Sequence, residues 1–319
     1  MARHTVIRRE EMLTAHLDLG GQPIDLADYA TTGLLGLAVG PRGSCKTNAG
    51  LLIAEQLSEQ GWVCVLIDPE SELESLYGDA VDSPEVLYQH LEKRDRTMIV
   101  VRAENATEFV PFGKVIRDAT DEFRKPIFVM IDEGQMFSAT RKRMGDIGDA
   151  SDIINDLVGR GRKRAVDLFI TALRYTGTLH RSVFSNKNLT LIGCQEDPTV
   201  WSALAPQFKS SGIDFTDLNT LSPGEFFCVS RRGIEKIRTP MSKALRDVAA
   251  PKAQNIQRAL PTTFTQWAKA MSQISDDRLR ALDDREVTDL LGAVAGLSTQ
   301  QMQSGHTALV DELEARDEA

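Results

Sequence analysis

The 319-residue sequence predicts an α/β fold, a mainly parallel sheet between helices, followed by a helical C-terminal appendage. Three observations carry this. Short apolar runs without strict polar alternation recur between helix-compatible stretches from about Leu34 to Ile237. Strands of that kind are covered on both faces, as in parallel sheets flanked by helices. A glycine-bearing loop ending in Lys-Thr joins the first run to the first helical stretch, the strand–loop–helix order of a phosphate site. Past Pro240 and Pro251 the chain becomes rich in Ala, Leu, Asp and Arg with few β-branched residues, a helical composition.

Residues 1–33 read as a lead-in segment with a β-prone piece at 5–8 and a turn at Gly20-Gly21-Gln22-Pro23. Residues 34–240 form the core. Its candidate strands are 34–39, 63–67, 98–101, 127–131, 168–171, 189–193 and 226–229, all rich in Val, Ile, Leu and Phe. Residues 48–60 carry apolar positions at helical spacing and stop at Gly61, and 151–158 read as a second helix. In the appendage, 241–319, Ser275-Asp276-Asp277 would cap a helix to about Ala295. A polar linker at 298–305 and an acidic helix at 307–315 complete it.

The most specific signal is Gly40-Pro41-Arg42-Gly43-Ser44-Cys45-Lys46-Thr47, with Asn48 opening the helix. Backbone N–H groups at a positive helix end wrap a polyphosphate in this setting. Lys46 would neutralise the β- and γ-phosphates of ATP, and the Thr47 hydroxyl would ligate Mg²⁺. One position departs from the motif: Cys45 stands where it has glycine, so a Cβ and a sulfur crowd the phosphate oxygens. The run 127–131 ends in Asp132-Glu133, at the strand end where ligands of open α/β sheets bind. Asp132 can hold the Mg²⁺ shell through water, while Glu133 can orient and deprotonate the attacking water. Gly159-Arg160-Gly161-Arg162-Lys163-Arg164 precedes the strand at 168–171. Such a basic group can reach a neighbouring subunit's γ-phosphate, or can serve as a loop contacting solvent or nucleic-acid phosphates.

Together these motifs resemble the FtsK–HerA superfamily of ATPases, HerA-type members most closely, over roughly residues 17–240. Leu19-Gly20-Gly21-Gln22-Pro23-Ile24 is similar to the family's lead-in. Ile67-Asp68-Pro69-Glu70-Ser71-Glu72 resembles its second-strand motif, with Ser71 in place of a glycine. Gly161-Arg162-Lys163 matches the family's Gly-Arg-Lys, which makes Arg162 the first candidate for an arginine acting in trans and Lys163 its neighbour. The family ends the next strand in Thr-Gln-Arg with a γ-phosphate-sensing glutamine; here Ala172-Leu173-Arg174 puts leucine in that place. The resemblance implies a RecA-like core, a homo-hexamer, and ATP-driven movement of double-stranded DNA through a central pore. Compactness and the lack of room for the N-terminal barrel of cellular HerA proteins point toward viral genome packaging. The alternatives are a motor subunit of a DNA-processing or antiviral nuclease complex, with the C-terminal helices docking the partner, and a nucleotide-binding scaffold whose catalysis has degenerated.

The bulk numbers restrict this little. A net charge of −9 excludes a surface coated in positive charge for non-specific DNA binding, but a ring needs basic groups only where its pore faces the strand. The local clusters are 141–143, 160–164 and 231–232. No apolar run approaches the roughly 20 residues of a membrane span, and the start lacks a signal-like apolar stretch. The four cysteines form no close pair, which suits reduced thiols in the cytoplasm, or in a host's cytoplasm or a virion for a viral protein.

Overall fold

The computed structural model describes residues 16–123, 126–138, 145–164, 166–175, 177 and 179–248, with the backbone alone for 160–164. The β-prone piece at 5–8, the basic cluster at 141–143 and the helices expected at 275–295 and 307–315 lie outside the described residues. The chain divides into two units after Arg246, and all the elements below belong to the first.

A short antiparallel hairpin, β1 (His16–Leu17) and β2 (Ile24–Asp25), leads into β3 (Leu35–Val39) and α1 (Lys46–Glu59). There follow β4 (Val63–Asp68), α2 (Glu74–Tyr77), α3 (Pro84–Lys93), β5 (Met98–Arg102), α4 (Ala106–Phe123) and β6 (Ile127–Ile131). The rest are α5 (Asp146–Arg164), β7 (Val166–Ala172), α6 (Arg181–Asn186), β8 (Leu189–Ile192), α7 (Pro198–Phe208), α8 (Phe215–Asn219), β9 (Glu225–Ser230) and β10 (Gly233–Arg238). One sheet of eight strands runs in the order β10-β9-β8-β3-β7-β6-β4-β5. Its six strands from β8 to β5 pair in parallel, and β9 and β10 continue the β8 edge antiparallel. The strand bearing the phosphate loop thus lies inside the sheet with the acidic strand two places away, the arrangement of a RecA-like P-loop core.

The alternation of side chains along each strand explains why the runs are apolar throughout. Leu35, Leu37, Val39, Val65, Ile67, Val129, Ile131 and Ile170 face one way, against Leu87 of α3, Phe109 of α4, Ile153 and Leu157 of α5 and Leu204 of α7. Ala38, Cys64, Leu66, Phe128, Met130 and Phe169 face the other way, against Leu51, Ile53, Ala54 and Leu57 of α1 and Leu17, Leu19 and Ile24 of the lead-in hairpin. Both faces are therefore dry, and polar alternation has no place in the central strands.

All seven candidate strands form, as β3 to β9. The hairpin β1–β2 and the edge strand β10 were not anticipated; the hairpin strands have two residues each, and β10 exposes most of its length. Helix α5 also differs from the sequence reading. Its apolar residues Ala150, Ile153, Ile154 and Leu157 recur at helical spacing, but the helix runs on through Gly159 and Gly161 to Arg164. The basic segment is a helix end and not a loop.

Phe169 is fully buried, with its ring over two glycines. A Cβ on Gly36 would lie 2.3 Å from Phe169 Cδ2, and one on Gly50 would lie 3.1 Å from Cδ1. This close approach seats α1 against the sheet. Phe169→Ala should lower the unfolding free energy by about 3–5 kcal/mol in urea titration, since the ring leaves a cavity between rigid neighbours. Gly36→Ala should also destabilise, by overpacking.

Candidate nucleotide site

The loop after β3 leaves the sheet between β7 and β8. Gly40 N donates to Ala172 O at 3.3 Å, and Gly193 N donates to Val39 O at 2.8 Å. The loop therefore sits at the C-terminal ends of parallel strands, where the sheet opens a crevice. Within it three donors converge on Pro41 O: Ser44 N at 3.3 Å, Ser44 Oγ at 2.8 Å and Lys46 Nζ at 2.9 Å. Lys46 is buried, and burial holds its ammonium below the usual lysine range, opposed by attraction to Glu133 and Asp132. Its Nζ donates to a carbonyl of its own loop. Cys45, at the N-cap of α1, makes no side-chain capping hydrogen bond.

The acids come from the turn after β6. Asp132 N donates to Ile67 O at 3.2 Å, which ties the turn to β4. The Asp132 carboxylate accepts from Thr47 Oγ1 at 2.9 Å and from Thr171 Oγ1 at 2.5 Å. Burial raises its pKa above the ordinary carboxylate value, against the hydrogen bonds from Thr171 and Thr47. Thr171 Oγ1 also accepts from Glu133 N at 2.9 Å, so one hydroxyl fixes both acids. Glu133 is only half-buried, has a left-handed backbone with φ 44°, and accepts a hydrogen bond from the Gln135 amide. The structure thus brings together Lys46, Thr47, Asp132 and Glu133. Thr171 and Gln135 belong to the same cluster and were not singled out from sequence. A hydroxyl at the end of the apolar run 168–171 was the available signal for Thr171.

The donor set fits Mg²⁺, which takes hard oxygen ligands and retains several waters. The Thr47 hydroxyl and the Asp132 carboxylate already touch, and the buried acid is held by two neutral hydroxyl donors. A cation there would offset the unfavourable burial of its charge.

Two motif departures acquire a physical meaning. Cys45, in place of glycine in the phosphate loop, has φ 68°, and Ser71, in place of glycine after β4, has φ 57°. Both positions need the left-handed backbone that glycine adopts freely and other residues adopt at some cost. Asp68 anchors the second motif by accepting from Glu70 N at 3.2 Å and Leu73 N at 2.7 Å. Arg42 is exposed on the loop, with Glu70 3.8 Å away.

Other expected site residues sit differently. The Asn48 side chain donates to Pro240 O at 2.9 Å and accepts from Ser242 N at 2.8 Å, so its amide is committed to the chain after β10. Arg162 and Lys163 lie in the last turn of α5, described by backbone alone. Leu173 is half-buried just past β7. Arg231 and Arg232 are occupied structurally: Arg231 donates to Asp28 O at 2.7 Å and Thr32 Oγ1 at 2.9 Å, and Arg232 to Asp28 Oδ2 at 2.8 Å. They pin the β9–β10 turn to the lead-in segment. Cys64 and Cys228 are buried in β4 and β9, where burial pushes the Cys228 thiol up to about 12.

No protein-family model matches the sequence, and no curated protein matches it. Solved structures do resemble the fold. The genome packaging NTPase B204 from Sulfolobus turreted icosahedral virus 2, in complex with ATP-gammaS, aligns with a TM-score of 0.51 at 15% identity, over 65% of this chain and 98% of that one. B204 from Sulfolobus turreted icosahedral virus, described as a DNA-packaging ATPase, gives 0.51 at 12% identity over 64% and 97%. VirB4 of Thermoanaerobacter pseudethanolicus gives 0.55 at 12% identity over 72% and 97%. At such identities the likeness is one of fold: a RecA-like P-loop NTPase core. Among the described residues no helix is long and apolar enough to cross a membrane.

Two outcomes follow from the site's geometry. Cys45→Gly should raise the unfolding free energy by up to about 1 kcal/mol in urea, because relief of left-handed strain exceeds the entropy glycine adds to the unfolded chain. Cys45→Val should lower it, since a β-branched residue tolerates this backbone least. For Asp132, a folded pKa above the unfolded one means that its contribution to stability is present below the unfolded pKa and lost as pH rises through the folded value. In nucleotide-free protein Asp132→Asn should therefore unfold at higher denaturant than wild type at pH 7.5, with the gap closing toward pH 4.

Proposed function

We propose that this chain is a ring-forming ATPase that couples ATP hydrolysis to movement of double-stranded DNA through a central pore. The observation that carries the hydrolytic part is the meeting of Lys46, Thr47, Asp132 and Glu133, from separate segments, at one end of a parallel sheet. Thr47 Oγ1 lies 2.9 Å from Asp132 Oδ2 at its centre. The open N-terminus of α1 and the N–H groups of residues 43–47 receive the phosphates. Lys46 moves from Pro41 O to the β- and γ-phosphates, exchanging a neutral acceptor for an anion. Thr47 and Asp132 would hold Mg²⁺, which would neutralise charge on the phosphate oxygens. Glu133 accepts a proton from water as the water oxygen bonds to the γ-phosphorus. The bond to the bridging oxygen breaks and its electron pair leaves with ADP. The products are ADP and inorganic phosphate.

Arg162, near the end of α5, is the proposed arginine acting across a subunit seam, with Lys163 beside it; the hexamer follows from that role. Double-stranded DNA as the polymer, and packaging of a viral genome as the process, are supported by the fold shared with B204, a genome packaging NTPase. A HerA-like motor in a DNA-processing or antiviral nuclease complex uses the same site, with residues 241–319 as the docking element for the partner. Cys45 and Leu173 favour a further reading, a nucleotide-binding scaffold without turnover. The protein would then act in a host's cytoplasm or a virion, or in the cytoplasm of a cell that encodes it.

Phosphate release from the full chain with Mg²⁺-ATP and duplex DNA separates these readings. The motor reading expects turnover stimulated by DNA, and a fall of about 10²–10⁴-fold in Glu133→Gln with nucleotide binding retained. Wild-type release no faster than that of Glu133→Gln would leave the scaffold. Light scattering should give a mass several times that of one chain in the presence of ATP, and a strictly monomeric mass with and without ATP contradicts the ring.

A further inference from the structure

Gln135 lies in the 3-10 turn Gly134–Met136 and folds back on Glu133, its Nε2 donating to Glu133 Oε2. Its other amide atom, Oε1, is buried and has no hydrogen-bond partner among the described residues. Exchanging the two would set an oxygen against a carboxylate, so the orientation is fixed by charge. A buried carbonyl left without a donor is costly, and such an orphan calls for a water or ligand that completes it. The turn that carries Gln135 cannot drift. A Cβ on Gly134 would lie 2.4 Å from Ile170 Cγ2, so the turn is pressed onto β7. Just past the end of that strand, Leu173 supplies no polar side-chain atom.

We propose that Gln135 is a positioning residue for hydrolysis, holding the Glu133 carboxylate through Nε2 and taking one proton of the attacking water as a hydrogen-bond donor to Oε1. This rests on the ATPase reading above. A water aimed at phosphorus must point a lone pair at it and both protons away. Two acceptors tied together by one hydrogen bond, the Glu133 carboxylate and the Gln135 oxygen, would impose that orientation. Glu133 alone receives a proton as the bond to phosphorus forms; Gln135 stays neutral and unchanged. The polar group that leucine does not provide at 173 is thereby supplied from the turn after β6.

The test compares full-length wild type, Gln135→Met, Gln135→Glu and Glu133→Gln in steady-state phosphate release and in titration with a fluorescent ATP analogue. Methionine keeps the length and removes both hydrogen-bonding atoms. Gln135→Met should lose 10- to 100-fold in kcat while KM and the dissociation constant of the analogue stay within twofold. Gln135→Glu keeps oxygen acceptors but sets a second carboxylate against Glu133, and should show the same split; it carries the test if Gln135→Met does not fold. Wild-type kcat in the folded variants, or an affinity loss matching the kcat loss, overturns the role of Gln135 and leaves the ATPase reading standing. Wild type no faster than Glu133→Gln overturns both.

Discussion

The site depends on one buried carboxylate. Asp132 accepts from Thr47 on the phosphate-loop helix and from Thr171 on the neighbouring strand, at 2.9 and 2.5 Å, while its own N–H holds β4. Remove those contacts and the loop helix, β4, β6 and β7 lose their shared point. Burial makes the charge costly, which is why the hydroxyls are where they are and why a cation is the natural completion. Thr171 extends the same control to Glu133 through its N–H. The acid proposed to take a proton is thus aligned from the acid proposed to hold a metal.

Much of this arrangement could be read from residues alone. Seven apolar runs became seven strands because a sheet dry on both faces leaves an unbroken apolar record. Lys46, Thr47, Asp132 and Glu133 were legible because their spacing from strand ends is set by the same sheet. What escaped was interaction between distant segments. Thr171 looks like the end of an apolar run, and only the adjacency of β6 and β7 makes it a ligand of the acids. Asn48 looks like part of the phosphate loop, yet residues 240 and 242 take its amide. Arg231 and Arg232 stand out in the sequence only as a local basic cluster, yet Asp28 and Thr32 take their guanidinium groups. Edge strand β10 left little record because most of its length faces solvent.

The departures from the glycine pattern mark where backbone conformation and side-chain choice disagree. Cys45 and Ser71 hold φ values of 68° and 57°, the region their glycine counterparts would enter freely. Keeping those angles with a side chain present means that packing around the loop and around Asp68 overrides the local preference. The fold of the loop therefore does not require glycine at 45. The Cys45 thiol is exposed on the loop, with its Sγ 3.9 Å from Gly43 O.

Calorimetric titration of the full chain with Mg²⁺-ATP, set beside Lys46→Ala, tests the central claim most directly: that a triphosphate lies between the loop and the two acids. Saturable binding near one nucleotide per chain, weakened at least tenfold in the variant, is the result this structure predicts. Absence of binding to wild type, or equal affinity in both proteins, contradicts it.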